Sequence, residues 1–286
     1  MQSIETKTNK KTITIIGTGG TIAGTGEEGV TSSYTSAQIE VDQLVSGIPG
    51  LDSLANLKSE NLFSVDSCDM SWDNLMTLAN YINNAAKNEN TDGFVITHGT
   101  DTLEETAYFL NLTVKTDKPV VITGSMRPST AISPDGPFNL YQAVSLAADD
   151  ESVGKGVLIA FSDEIYGARD ICKINTFRTD AFSHKDFGAF GYMRDNKAFF
   201  YNESTKKHTL NTKFDISEIK NLPKVEILMF YVDAGLDLLK YVSENCDGVI
   251  LAGAGSGGSS IQWDNEIEKL LKSGIPVVRA SRISNG

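Results

Sequence analysis

Apolar residues fall into two kinds of run along the chain. Short β-branched stretches bounded by glycine or polar residues recur at Thr12–Gly17, Gly93–Thr97, Pro119–Thr123, Gly156–Phe161, Val225–Tyr231, Gly248–Ala252 and Pro276–Ala280. They do not alternate strictly, which is the pattern of strands covered on both faces in a parallel sheet. Between them the apolar period lengthens to that of a helix. Leu75, Leu78, Ala79 and Ile82 form one stripe behind an N-cap at Ser71. Thr102 and Glu105 have capping-box spacing ahead of Ala107, Phe109 and Leu110. Leu140, Ala143, Val144 and Ala147 line a third helix, and Ile267, Leu270 and Leu271 a fourth that stops at Gly274. Strands alternating with helices predict an α/β protein. The expected arrangement is a large N-terminal domain (1–201) whose mainly parallel sheet is flanked by helices, and a smaller α/β C-terminal domain (222–286). The polar stretch 202–221 has no sustained period and reads as the linker between them. The last predicted strand lies so close to Gly286 that the C-terminal domain is expected to be incomplete, with the missing tail belonging to a longer polypeptide.

Composition narrows the classes of function. With 40% hydrophobic and 22% charged residues the chain has the material for packed cores. Lys and Arg number 25 against 37 Asp and Glu, a formal charge of -12, and no basic block interrupts it. Such a surface repels phosphate backbones, so nucleic acid is excluded as a partner. Cys68, Cys172 and Cys246 are too scattered for a disulfide framework or a zinc site. His98, beside a strand end, reads as a hydrogen-bonded structural residue. His184 and His208 lie in irregular polar stretches and are expected to be solvated, so no metal cluster is expected. No apolar run reaches the ~18 residues of a membrane span. The first eleven residues are polar and the apolar run after them is too short for a secretory signal. The chain is therefore read as either a cytoplasmic protein or a mature form whose signal has been removed.

Two junctions between a strand and the segment after it carry candidate chemistry, as open α/β sheets place function there. The first is Gly17-Thr18-Gly19-Gly20-Thr21-Ile22-Ala23-Gly24. Ile22 stands where a dinucleotide fingerprint wants glycine or alanine, and no Gly-Lys-Ser/Thr follows for a P-loop. Glycines let this backbone turn sharply and approach a ligand, with Thr21 at the centre; a structural turn around a buried threonine fits equally. The second is Thr97-His98-Gly99-Thr100-Asp101-Thr102. There Thr100 and Asp101 stand at a helix N-terminus whose free N–H groups suit a carboxylate or an oxyanion; simple helix capping by Asp101 and Thr102 is the alternative. The chain lacks a G-x-S-x-G elbow of the α/β-hydrolase kind. The loop Gly24–Ser33 is glycine-rich and polar, the composition of a lid or of an ordinary exposed loop.

The segments TGGTIAG (Thr18–Gly24) and TDGFVITHGTDTLEETAYFL (Thr91–Leu110) together resemble the two signature segments of bacterial L-asparaginases. The likeness continues through Asp117–Thr130, Asp135–Val144, Arg169–Asn175 and Pro276–Arg282, so it spans nearly the whole chain from Thr14. The ETAYFL ending is similar to the type II, usually periplasmic, branch. The resemblance implies hydrolysis of the side-chain amide of asparagine to aspartate and ammonia, weaker action on glutamine, no cofactor and no metal. It implies Thr21 as nucleophile and Tyr34 as its hydroxyl partner on a mobile loop, with Thr100, Asp101 and Lys173 as the second catalytic group. Ser67, Cys68, Thr100 and Asp101 fall at substrate-binding positions. It also implies a periplasmic homotetramer whose sites are completed across a subunit pair, partly by residues past this chain's end. A threonine hydroxyl needs a neighbour to take its proton, and Lys173 itself or a relay through Thr100 or water are both open. Two positions depart from the family pattern: Cys68 stands where glutamine is common, and Ser256 where asparagine is usual. The shorter Cys68 leads us to expect glutamine to be a poor substrate beside asparagine. Competing readings are an asparaginase-like amidase subunit of a tRNA-dependent amidotransferase and a non-catalytic amino-acid-binding protein.

Overall fold

A computed structural model describes residues 10–27, 29–31, 34–87, 90–184 and 186–285. In chain order the first unit begins with β1 (Thr12–Gly19), a small hairpin of β2 (Thr25–Gly26) and β3 (Tyr34–Thr35), short helices α1 (Val41–Ser46) and α2 (Leu51–Leu54), and β4 (Asn56–Val65). There follow α3 (Trp72–Ala85), β5 (Gly93–Thr97), α4 (Leu103–Thr113), β6 (Val120–Thr123), α5 (Gly136–Ala148) and β7 (Val157–Phe161). The remainder is strand: β8 (Glu164–Gly167), β9 (Cys172–Lys173), β10 (Phe182–Ser183), β11 (Gly191–Arg194) and β12 (Lys197–Phe200). Eight of these strands form one sheet in the order β12-β11-β8-β7-β6-β5-β1-β4. It is parallel from β4 to β7 and antiparallel from β7 to β12.

The unbroken apolar runs have a plain cause: both faces of the sheet are covered. Ile16, Phe94, Ile96, Val120 and Ile122 face a core built with α3 and α4. Ile13, Ile15, Val95 and Val121 face the other core, with α1, α2 and α5. Alternate residues of one strand thus enter different cores, and neither side selects for polarity.

The sequence pattern missed β4 because it is an edge strand. Its residues are exposed or half-buried along their whole length, so the run reads as polar. The antiparallel strands β8, β11 and β12 were also unmarked. Their hairpin turns use left-handed residues other than glycine: Ser162 and Asp163 (φ 49° and 69°), and Asp195 and Asn196 (φ 49° and 60°). Two left-handed residues in succession suit a tight hairpin, and Asp and Asn tolerate that region better than most side chains.

Three local expectations need correction. Thr102 occupies the N-cap position of α4 but makes no capping bond; its hydroxyl donates instead to the Ser67 carbonyl at 2.8 Å. His184 is buried rather than solvated, with its ring edge-on to Phe187 and Nε2 3.4 Å from Asp170 Oδ2. Leu271 is exposed, because the buried stripe of its helix runs through Trp263, Ile267 and Leu270.

The compact units divide between Glu218 and Ile219, inside the polar segment 202–221. The stretch before that division is docked on the first unit. Ile216 enters its core, and Lys115 Nζ donates to the Thr209 carbonyl and the Thr212 hydroxyl. The second unit holds a three-stranded parallel sheet, β13 (Val225–Met229), β14 (Gly248–Gly253) and β15 (Val277–Ser281), with α6 (Asp237–Asn245) and α7 (Ile261–Lys272). Its core gathers around Trp263, whose indole N–H donates to the Ala234 carbonyl at 2.9 Å. Gly274, just past α7, has φ 88°, as a helix-ending glycine should.

At the start of α3 the expected cap is present and reciprocal. Ser71 Oγ accepts from Asn74 N–H, and Asn74 Oδ1 accepts from Ser71 N–H. Ser71→Ala should therefore lower the unfolding free energy by about 1 kcal/mol in urea titrations; an unchanged midpoint would mean that this cap does not stabilise the domain.

Candidate active site

Glycines bring the two strand-end junctions into backbone contact. Gly19 and Gly20 end β1 in left-handed conformations, φ 105° and 82°. A Cβ on Gly20 would lie 2.3 Å from the Gly99 backbone nitrogen, and one on Gly99 would lie 2.7 Å from Ser67 Cβ. Such separations are far inside van der Waals contact, so only glycine lets these three segments approach so closely.

The turn out of β1 leaves Thr21 buried at the head of a short 3-10 turn, Thr21–Ala23. Its Oγ1 lies 2.7 Å from Tyr34 Oη. Tyr34 is brought there by the β2–β3 ladder, in which it pairs with Gly26. The loop bearing these residues is tied down by the 129–130 segment. Ser129 donates twice to the Gly24 carbonyl, and Gly26 N–H donates to Thr130 Oγ1. Glu28, Ser32 and Ser33 of the expected Gly24–Ser33 lid lie outside the described residues.

The second junction presents Thr100 and Asp101 just ahead of α4. Lys173 Nζ donates to Thr100 Oγ1 at 2.8 Å and to Asp101 Oδ1 at 2.5 Å. The lysine side chain is only 15% exposed whereas Asp101 is 54% exposed, so the carboxylate is the open end of this pair. Ser67 Oγ accepts from Asp101 N–H at 3.2 Å, and Cys68 Sγ donates to Asp101 Oδ2 at 3.5 Å. Thr21, Tyr34, Thr100, Asp101 and Lys173 line one cleft of about 620 Å³. Ser67 and Cys68 are not in its wall and join the group through Asp101.

Asp66, Cys68 and Asp101 have ligand atoms within 4.8 Å of one another, a spacing a metal ion could span. Their electrostatics argue otherwise. Asp66 already accepts from Ser36 Oγ at 2.6 Å and from Cys68 N–H at 3.0 Å, so its oxygens are committed to neighbours within the protein. Desolvation, and then its bond to Asp101, push the Cys68 thiol up, away from the thiolate that a metal prefers. Asp101 is paired with the Lys173 cation, which would repel a second one.

The cleft also contains Arg127, Ile132 and Ser133, to which sequence reasoning gave no role. Their loop follows β6, the next strand end along the sheet, and that position was the available signal. Asp135 shapes it by accepting from the backbone N–H groups of Met126 and Arg127 at 2.9 and 3.0 Å.

His98 is structural, as expected. It is fully buried, with Nδ1 2.7 Å from the Gly99 carbonyl and Nε2 2.9 Å from Thr106 Oγ1. A carbonyl only accepts, so Nδ1 carries the proton and Nε2 accepts from Thr106. Burial pulls its pKa down to about 4 from 6.5. Between those values the unfolded chain binds a proton that the native state excludes, so this group's contribution to stability is whole above pH 6.5 and is lost toward pH 4. The loss expected from His98 over that window is roughly 3 kcal/mol. Unfolding free energies measured from pH 7 to 4.5 should fall more steeply for the parent than for His98→Gln; equal slopes would show that His98 is not the group responsible.

Comparison with known proteins gives the class. Residues 12–206 match the family described as Asparaginase, N-terminal, and residues 224–286 match the Glutaminase/Asparaginase C-terminal domain. L-asparaginase 2 of Escherichia coli is 45% identical over 275 residues, covering 96% of this chain and 78% of that protein. A probable periplasmic L-asparaginase of Haemophilus influenzae is 43% identical over 285 residues, covering 99% and 81%. The crystal structure of a probable cytoplasmic L-asparaginase from Campylobacter jejuni aligns with a TM-score of 0.93 at 45% identity, covering 96% of this chain and 84% of that one. The architecture and these matches define an enzyme of the amidohydrolase class. Within that class the chain belongs to the L-asparaginase family.

Proposed function

We propose that the protein hydrolyses the side-chain amide of L-asparagine to L-aspartate and ammonia, with Thr21 as the nucleophile. The observation that carries this reading is the 2.7 Å contact between Thr21 Oγ1 and Tyr34 Oη in the wall of the cleft shared with Thr100, Asp101 and Lys173. A hydroxyl in a short hydrogen bond has a path by which to lose its proton as it attacks. Thr21 Oγ bonds to the amide carbon, the C–N bond breaks, and the nitrogen leaves as ammonia once it has taken the proton that Thr21 released. Water then attacks the resulting ester, giving the carboxylate product and restoring the threonine hydroxyl.

The second cluster supports the charge that develops. Because Thr100 Oγ1 accepts from the Lys173 ammonium, its own hydrogen is free to be donated to an oxyanion or a water. Asp101, its carboxylate open to solvent, with Ser67 behind it, suits the α-ammonium end of an amino acid. The proposal includes the periplasmic homotetramer that the resemblance implies. The relatives divide on compartment, one named periplasmic and one cytoplasmic. Among the described residues no helix is long and apolar enough to cross a membrane.

Ammonia release from asparagine without tRNA or ATP tests the reading against both an amidotransferase subunit and a binding protein. In that assay Thr21→Ala should lose nearly all turnover while thermal unfolding stays near that of the parent. Substantial residual activity would move the nucleophile to another group, Thr100 first.

Lys173→Met should lower kcat far more than it changes KM, because the lysine's contribution is made in the transition state. An effect confined to KM would reassign Lys173 to substrate binding.

A further inference from the structure

We propose that Glu104 is a positioning residue for Lys173, acting through the backbone of β9; the proposal rests on the catalytic reading of Lys173 above. Strand β9 has only two residues and pairs with β10. On the β10 side Ile174 N–H donates to the Ala181 carbonyl at 2.7 Å. Successive N–H groups of a strand point to opposite edges, so that of Lys173 faces away from β10. There it meets Glu104 Oε2 at 2.5 Å, and Cys172 Sγ lies 3.5 Å from Glu104 Oε1. A carboxylate of α4 thus takes the place of a neighbouring strand.

One turn further along the same face of α4, Tyr108 Oη accepts from Arg169 Nη1 at 3.3 Å. The segment 169–173 is therefore fastened at both ends to one ridge of one helix. That helix directly follows Thr100 and Asp101, the two acceptors of Lys173 Nζ. The turn that leads into α4 carries both acceptors of the lysine head, and the first turn of the helix carries the anchor of its backbone. This matters because a lysine stem is flexible, and fixing the backbone is what fixes the reach of the ammonium. Glu104 is half-buried, lies in the first turn of α4 where the helix dipole favours a carboxylate, and is not in the wall of the cleft. It acts on the reaction only through Lys173.

The test is a double-mutant cycle on asparagine hydrolysis with Glu104→Ala, Glu104→Gln, Lys173→Met and the Glu104→Ala/Lys173→Met pair. A shift of about 1 Å in a catalytic group can cost about 100-fold, so Glu104→Ala should lose 10-fold or more in kcat with KM nearly unchanged. Glu104→Gln keeps one acceptor oxygen and should recover most of that loss, which also shows that the alanine variant failed for want of the acceptor and not of the fold. If Glu104 works through Lys173, the double variant is no slower than Lys173→Met alone. The role of Glu104 is overturned if Glu104→Ala stays within about 2-fold of the parent, or if the two losses multiply in the double variant. A Lys173→Met enzyme with parental kcat would instead remove the catalytic reading of the lysine, and this role for Glu104 with it.

Discussion

The site depends on a contact between backbones. Gly20 and Gly99 close a gap that no side chain can enter, and Ser67 packs against Gly99 beside Gly20. Each glycine stands beside a residue that the proposed chemistry uses: Gly20 before Thr21, and Gly99 before Thr100 and Asp101. The parallel register sets up the meeting, since Gly17 of β1 is aligned with Thr97 of β5 in adjacent strands. Two chain segments far apart in sequence therefore turn out of the sheet at the same level. The glycines let them turn toward each other, and the hydroxyls of Thr21 and Thr100 follow into one cleft.

Around that contact the polar groups divide into two hydrogen-bonded sets. Thr21 and Tyr34 are paired by hydroxyls alone. Thr100, Asp101 and Lys173 are joined by a cation whose donors reach one neutral and one charged acceptor. Asp101 extends the second set to Ser67 and Cys68, and Asp66 links it to Ser36. His98 lies at the base of the same junction; burial keeps it neutral, and its two ring nitrogens brace the Gly99 carbonyl against α4. The bonds of His98 are neutral, whereas the charged Asp101 and Lys173 line the cleft.

Much of this was legible in the sequence, for reasons that differ from element to element. The central strands announced themselves because burial on both faces leaves runs of mostly apolar residues, as in Gly93–Thr97. Ser71 was legible as a cap because its geometry is local. Strand β4 was not, since an edge strand half in water has no apolar signature. Thr102 misled because its hydroxyl has a tertiary partner, the Ser67 carbonyl, that spacing along the chain does not encode. His184 misled for the same reason, lying in a polar stretch that folds inward. Of the site, glycine content flagged the two junctions, but Tyr34 and Lys173 were reached only through family resemblance. A lone tyrosine and a lone lysine carry no local mark of where the fold delivers them. Arg127 and Glu104 went unassigned on the same ground.

The proposed role of Thr21 requires a transient ester between its hydroxyl and the substrate. The most direct test is to quench the enzyme in acid during turnover of asparagine and map its peptides by mass spectrometry. An aspartyl group on the peptide containing Thr21, with none on the peptide containing Thr100, is the predicted result. An aspartyl group on Thr100 with Thr21 unmodified would contradict it.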